Sequence, residues 1–290
     1  MPRKTACRAP CAASLKSEVA RRAAGIAEQK EMTKKSFIKK LRNAIEAFAP
    51  NMQTPSGDWA VKGFIDVRRM IYTISTDTKV ISKIVELYLF PRILAFASEN
   101  GLEIFLTKDQ NYYPDMTFKD KQGNLFAVDI KSSYRREDDT INGMTLGAFT
   151  GYFRNRKSVK NITFPYSSYK AHIVLGIIYS TVDGVDEVRV HPLDDLDSIQ
   201  SVLKDFQFFV QEKWRIAIDR PGSGNTKNIG SVSKISQLVN GTGPFAKLGE
   251  KVFDDYWMNY LTTDMAKSVE LQSPYYKNLR EYRKFRGLDK

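Results

Sequence analysis

Between 34 and 49 the apolar positions Phe37, Ile38, Leu41, Ile45 and Phe48 recur at near-helical spacing and predict an amphipathic helix. A second helix is expected from a cap at Asp77 or Thr78 through about Ser98, with Val80, Ile84, Leu87 and Leu94 on its apolar face. Pro91 is expected to kink or divide it, and Gly101 to stop it. Partial alternation over 58–75 (Val61, Phe64, Ile65, Val67, Met70, Tyr72) reads as strands. Further strands are expected at 103–106, 116–118, 125–130 and 172–182, with a pair at 206–210 and 214–218. The polar, Gly-rich stretch 219–231 reads as a loop, and helices follow at 246–261 and 275–285. Strands and helices mix without strict βαβ alternation, and no internal repeat is seen. This favours an α/β or α+β domain built on a mixed sheet flanked by helices.

Composition narrows the class. The 290 residues are 42% hydrophobic and 27% charged, enough apolar material for a substantial core. No run approaches the roughly 18–20 apolar residues that span a bilayer, so no membrane role is expected. Residues 1–31 are rich in Ala, Arg and Lys and poor in large apolar groups, and read as a disordered or weakly helical extension. That extension carries a net +4 of the total +12, leaving +8 on residues 32–290. A basic body attracts polyanions, because neutralising phosphates releases condensed counterions. Both cysteines, Cys7 and Cys11, lie in the extension, so no disulfide framework is expected in the body and a reducing cytoplasm fits.

The chemistry concentrates in Tyr-Tyr-Pro-Asp (112–115) and, after an expected hairpin, Phe-Ala-Val-Asp-Ile-Lys (126–131). Asp129 and Lys131 are two apart on a strand and share a face, while Ile130 points the other way. A hairpin brings Asp115 beside Asp129. Two carboxylates suit Mg²⁺, a hard cation satisfied by oxygen ligands and retained waters. With an ammonium nearby they could activate water and stabilise a phosphate transition state. The pattern is also met on ordinary solvated strand faces. Asp77-Thr78-Lys79 is a second Asp-x-Lys, and it reads as a helix cap.

The Pro-Asp…Asp-x-Lys arrangement resembles that of a nuclease superfamily containing many restriction enzymes. Ordered segments make the resemblance narrower: 75–82 (STDTKVIS), 110–115 (QNYYPD), 129–134 (DIKSSY), 145–147 (TLG), 160–162 (KNI), 222–231 (GSGNTKNIGS) and 255–257 (DYW). Over about 37–286 the chain is similar to the EcoRV family of type II restriction endonucleases. The resemblance implies a restriction-endonuclease-like fold that forms a DNA-binding cleft in a homodimer, and Mg²⁺-dependent hydrolysis of double-stranded DNA.

It also implies roles for particular residues. Asp115 and Asp129 would bind the metal and Lys131 would assist. Glu86, a helical residue with no signal of its own, would contribute to the metal site. Segment 222–228 would be the recognition loop in the major groove, with Gly222, Ser223, Gly224, Asn225, Thr226 and Asn228 as candidates. Asn pairs well with adenine N6 and N7, and Thr with a thymine methyl. Gln110 and Asn111 would lie along the minor groove. Lys79, Ser132, Ser133, Arg154 and Lys160 are lesser candidates for phosphate or groove contact. The intact loop implies GATATC, cut at its centre to blunt ends. Residues 37–75 are the candidate dimer surface. Tyr112 departs from a family histidine, and Ser132 and Ser133 from two threonines. The competing readings are a nicking repair nuclease or resolvase of the same superfamily, and a DNA-binding protein without catalysis.

Overall fold

Helix α1 (Lys34–Phe48) buries Phe37, Leu41 and Ile45, one residue every fourth position, as its pattern predicts. These coordinates are a computed structural model that describes residues 31–107, 109, 112–185, 189–222 and 227–288. The chain divides into two units, Met1–Thr33 and Lys34–Lys290, and every element named here belongs to the second.

After α1 come two short strands, β1 (Gly63–Ile65) and β2 (Met70–Thr73), in place of the longer run expected over 58–75. Helix α2 (Thr78–Glu99) starts on the Asp77 side chain, which accepts from the N–H groups of Lys79 and Val80. It runs unbroken through Pro91. The proline sits on the exposed side, where the Leu87 carbonyl left without its N–H partner can turn to water. The expected apolar face is wrong. Val80, Leu87 and Leu94 are exposed, while Ile81, Ile84, Val85, Leu89, Ile93, Phe96 and Ala97 are buried. Apolar residues occur nearly all round this helix, so spacing alone does not select the side that meets the sheet. Asn100 and Gly101, at φ +61°, end it.

The main sheet contains β3 (Glu103–Leu106), β4 (Met116–Lys119) and β5 (Leu125–Glu137), an antiparallel meander. A two-residue strand β6 (Thr140–Ile141) pairs with the far end of β5. The separate β7 (Thr145–Ala148) follows in the chain. Strand β8 (Tyr169–Thr181) lies parallel to β5, and β10 (Leu203–Glu212) antiparallel to β8, giving the order β10-β8-β5-β4-β3. This is the expected mixed sheet. Strand β9 (Val190–Pro192) instead joins β2, forming a small sheet in the order β1-β2-β9.

Lys213–Ile216, where a strand is expected to begin, forms a single helical turn, α3. Strands β11 (Ala217–Pro221) and β12 (Asn228–Ser231) then pair and continue onto β7 in a third sheet, so the supposed loop 219–231 is largely a hairpin. Its glycines conceal the strands in sequence. A Cβ built on Gly222 would meet the Gly230 Cα at 3.1 Å, so the two backbones approach closely only because both residues lack side chains. Short helices α4 (Ile235–Asn240), α5 (Glu250–Asn259), α6 (Thr263–Ser268) and α7 (Leu279–Phe285) complete the chain. Helices α5 and α7 are shorter than the expected spans.

Strand β5 separates two cores. On one face Phe126 stacks on Phe37 at 4.4 Å, with Phe96 and Phe118 packed around Phe37. On the other, Leu125 and Ala127 join a large cluster that includes Tyr113, Tyr166, Phe153 and Trp257. Among the described residues no helix is long and apolar enough to cross a membrane.

Candidate hydrolytic site

Alternation along β5 puts Asp129 and Lys131 on the same face as Leu125 and Ala127, toward the aromatic core. Lys131 pairs across the parallel ladder with Gly176. A side chain at Gly176 would collide with the Phe209 ring, so that ring closes over the backbone beside the lysine. The geometry places the sequence-predicted triad together. Lys131 Nζ lies 2.6 Å from an Asp129 carboxylate oxygen and 3.9 Å from Asp115 Oδ2.

Asp115 is held by backbone as well as charge. It precedes the first residue of β4, and its carboxylate accepts from the Ile130 N–H at 2.6 Å. That bond continues the β4–β5 ladder by one rung where the β4 backbone leaves it. The preceding Tyr113, joined to Pro114 by a cis peptide, is pinned by backbone bonds to Asn161 and Thr163. Its hydroxyl shares a hydrogen bond of 2.9 Å with His172 Nδ1, and its ring stacks on Tyr152 at 5.2 Å. Buried aromatic packing therefore fixes the approach to the acid.

Electrostatics couple the three groups. Burial and then the negative charge of Asp129 push the Asp115 carboxyl up to about 7, against the opposing pull of Lys131 and the Ile130 N–H. Burial works against the Lys131 ammonium, but Asp129 and Asp115 more than offset it and hold the lysine above its ordinary value. The amine is thus kept as a charged donor between two acids.

Asp115, Asp129 and Lys131 open onto a pocket of about 630 Å³ that is also lined by Thr145, Lys160 and Asn228. The base of the β11–β12 hairpin and the acid pair therefore share one cavity. Asp115 also borders a second groove, of about 590 Å³, which contains Lys79, Lys83 and Glu86. Glu86 is paired with Lys83 at 2.9 Å and lines this groove rather than the first, though its charge still raises both Asp115 and Lys131. Among the described residues no group of three or more His, Cys, Asp or Glu side chains is arranged to hold a metal. Two carboxylates beside open space are nonetheless a donor set that suits Mg²⁺, which commonly takes one or two protein carboxylates and fills its remaining positions with water and phosphate oxygens.

The other predicted residues divide by location. Lys160, Asn228 and Lys79 line the two cavities. Gly222 closes the hairpin, its N–H donating to the Asn228 carbonyl at 3.0 Å. Ser132 shares a hydrogen bond with Ser82 of α2 at 2.7 Å, and buried Ser133 donates to the Asn142 carbonyl, so both hydroxyls are engaged within the fold. Arg154 donates to the Tyr260 carbonyl and lies over the Phe149 ring, toward the aromatic core. Gln110, Asn111, Ser223, Gly224, Asn225 and Thr226 lie outside the described residues. Sequence reasoning missed Tyr113, Gly147, Tyr152 and Lys213 around the acids. Tyr113 and Gly147 lie inside quoted segments but have no role of their own there, Tyr152 and Lys213 carry no motif, and the fold brings all four together.

Two acids and an ammonium converging from adjoining strands of a mixed sheet, beside an open pocket, are the working parts of a phosphodiester hydrolase. Residues 55–287 match the family model described as restriction endonuclease EcoRV. The chain is 37% identical over 227 residues to the type II restriction enzyme EcoRV of Escherichia coli, covering 77% of this chain and 89% of that one. The chain belongs to the EcoRV restriction-endonuclease family. Among solved structures, the NlaIV restriction endonuclease aligns over 87% of this chain and 96% of its own, at 11% identity and a TM-score of 0.41. A bacterial homing endonuclease, I-Ssp6803I, aligns over 47% and 78%, at 20% identity and a TM-score of 0.20. Both likenesses are too loose to carry an argument.

Proposed function

We propose that this family member is a cytoplasmic, Mg²⁺-dependent type II restriction endonuclease that cuts double-stranded DNA at the centre of GATATC as a homodimer. The observation that carries the hydrolytic reading is the convergence of Asp115, Asp129 and Lys131 at the mouth of one pocket. Asp115 and Asp129 would hold the metal. When bound, Mg²⁺ lowers the pKa of an attacking water and offsets charge on the scissile phosphate. The Lys131 ammonium, kept protonated by the two acids, orients that water and donates to the phosphate oxygens. Glu86 adds negative charge from the adjoining groove.

Base readout is assigned to segment 222–228. The Gly222–Gly230 contact supports this, because it makes a narrow base from which the loop tip can enter a groove. Asn225 is assigned to adenine and Thr226 to thymine, with Ser223, Gly224 and Asn228 completing the loop. Gln110 and Asn111 are assigned to the minor groove, and Lys79 and Lys160 to phosphates. For the dimer, the helical half of the 37–75 candidate turns its apolar face inward. Exposed apolar groups gather instead on the small β1-β2-β9 sheet, at Phe64, Ile65, Tyr72 and Val190, and at Val67 in the turn between β1 and β2. That sheet is the surface assigned to self-association, since a palindrome presents two equivalent half-sites to a twofold dimer.

Incubating supercoiled plasmid with the protein, with and without Mg²⁺, tests the proposal. Blunt linear fragments with GAT and ATC ends support it. Nicks alone indicate a repair-type nuclease, and retarded but uncut DNA a binding protein. Sequencing the ends settles the target.

A further inference from the structure

Lys213 is the first residue of α3, only 2% exposed, and its ammonium has no hydrogen-bond partner among the described residues. It lies instead among aromatic faces: 5.1 Å from the Tyr113 centroid, 5.6 Å from Phe153 and 5.8 Å from Tyr166. Cation–π attraction offsets part of the cost of burial. The ammonium also stands directly behind the hydrolytic pocket. A Cβ built on Gly147, a pocket-lining residue at φ +87°, would meet the Lys213 Nζ at 3.4 Å and the Tyr152 hydroxyl at 3.2 Å. The ammonium thus lies against the backbone of a residue that lines the cavity. Asp129 and Lys131 both act on Lys213 electrostatically, the former favouring its charge and the latter opposing it.

A buried charge that makes no hydrogen bond contributes nothing obvious to folding. What it does contribute is a second fixed positive charge that acts on Asp129, in surroundings of low dielectric where its field is weakly screened. We propose that Lys213 is a positioning residue that weakens the affinity of the Asp115–Asp129 pair for a divalent cation in the DNA-free protein. Its field opposes an arriving cation and favours an arriving phosphate. The inference rests on the metal reading proposed above.

The test is Mn²⁺ binding to the DNA-free full-length protein, followed by electron paramagnetic resonance of the free ion. Lys213→Met keeps the length and apolar stem of the side chain and removes the charge. It should bind Mn²⁺ on the order of tenfold more tightly than wild type. Lys213→Gln should behave like Lys213→Met, and Lys213→Arg like wild type. A merely structural lysine would change thermal stability without moving Mn²⁺ affinity in this charge-dependent order. Folded Lys213→Met and Lys213→Gln proteins with wild-type or weaker affinity overturn the proposal. Asp129→Ala serves as the control for the site. If neither wild type nor Lys213→Met binds Mn²⁺ that the corresponding Asp129→Ala protein fails to bind, the metal reading itself falls, and this inference with it.

Discussion

Replacing Lys213 by Met should stabilise the protein. Burial pushes the Lys213 ammonium down to about 8 from the 10.5 of a free lysine, with Asp129 opposing that fall and Lys131 adding to it. At neutral pH the folded protein thus carries a charged group disfavoured by about 3 kcal/mol relative to solvent. Methionine is similar in length, needs no hydrogen bond and packs well against aromatic rings. Losing the cation–π contacts subtracts about 0.5–2 kcal/mol. A net gain of roughly 1–2 kcal/mol is expected, raising the Tm by about 2–6 °C in a domain of this size. The sign with pH follows from linkage. A folded-state lysine pKa below the unfolded value leaves the unfolded chain binding more protons between about 8 and 10.5. The penalty is whole below pH 8 and fades as pH rises through that window. Equilibrium urea unfolding of both proteins at pH 7 and pH 10 should therefore show the advantage of Lys213→Met shrinking, with all other titrations common to the pair. A less stable variant at pH 7, or an advantage equal at both pH values, refutes the reasoning.

Asp129→Ala, which removes an acid assigned to the metal, should lower plasmid cleavage by at least about 10²–10³-fold while circular dichroism stays native; substantial activity would mean the site is misplaced. Asn225→Ala should cost about 1–3 kcal/mol of discrimination at an adenine, read as the ratio of cleavage rates on cognate and single-substituted sites, and equal ratios in both proteins would remove Asn225 from base readout. Ile65→Glu, on the exposed β1 edge, should shift sedimentation from dimer to monomer; an unchanged dimer moves the interface elsewhere. Gly230→Ala should destabilise by about 1–3 kcal/mol in urea unfolding, since its Cβ would stand 2.8 Å from the Gly222 Cα and from Ile218, and a neutral result would mean the hairpin base can spread.

Local pattern and ordered motifs make the cluster of Asp115, Asp129 and Lys131 legible in the sequence alone. Period-two geometry forces Asp129 and Lys131 onto one face, and the hairpin to β4 brings Asp115 alongside, so short-range chain geometry determines that triad. Helix α1 was legible for a similar reason, because its apolar stripe is narrow. Helix α2 was not. Its apolar residues surround it, and only packing against the sheet decides that Ile81 and Leu89 are buried and Leu87 is not. The β11–β12 hairpin was hidden because its glycines, which read locally as loop, serve a contact between strands. Lys213 shows the same limit most fully. It lies 84 positions from Asp129 in sequence. Its burial, aromatic surroundings and place behind Gly147 come from elements that meet only when the sheets assemble. Sequence determines what neighbouring residues do together; tertiary structure decides which distant groups share a field, because electrostatic and packing energies depend on separation in space.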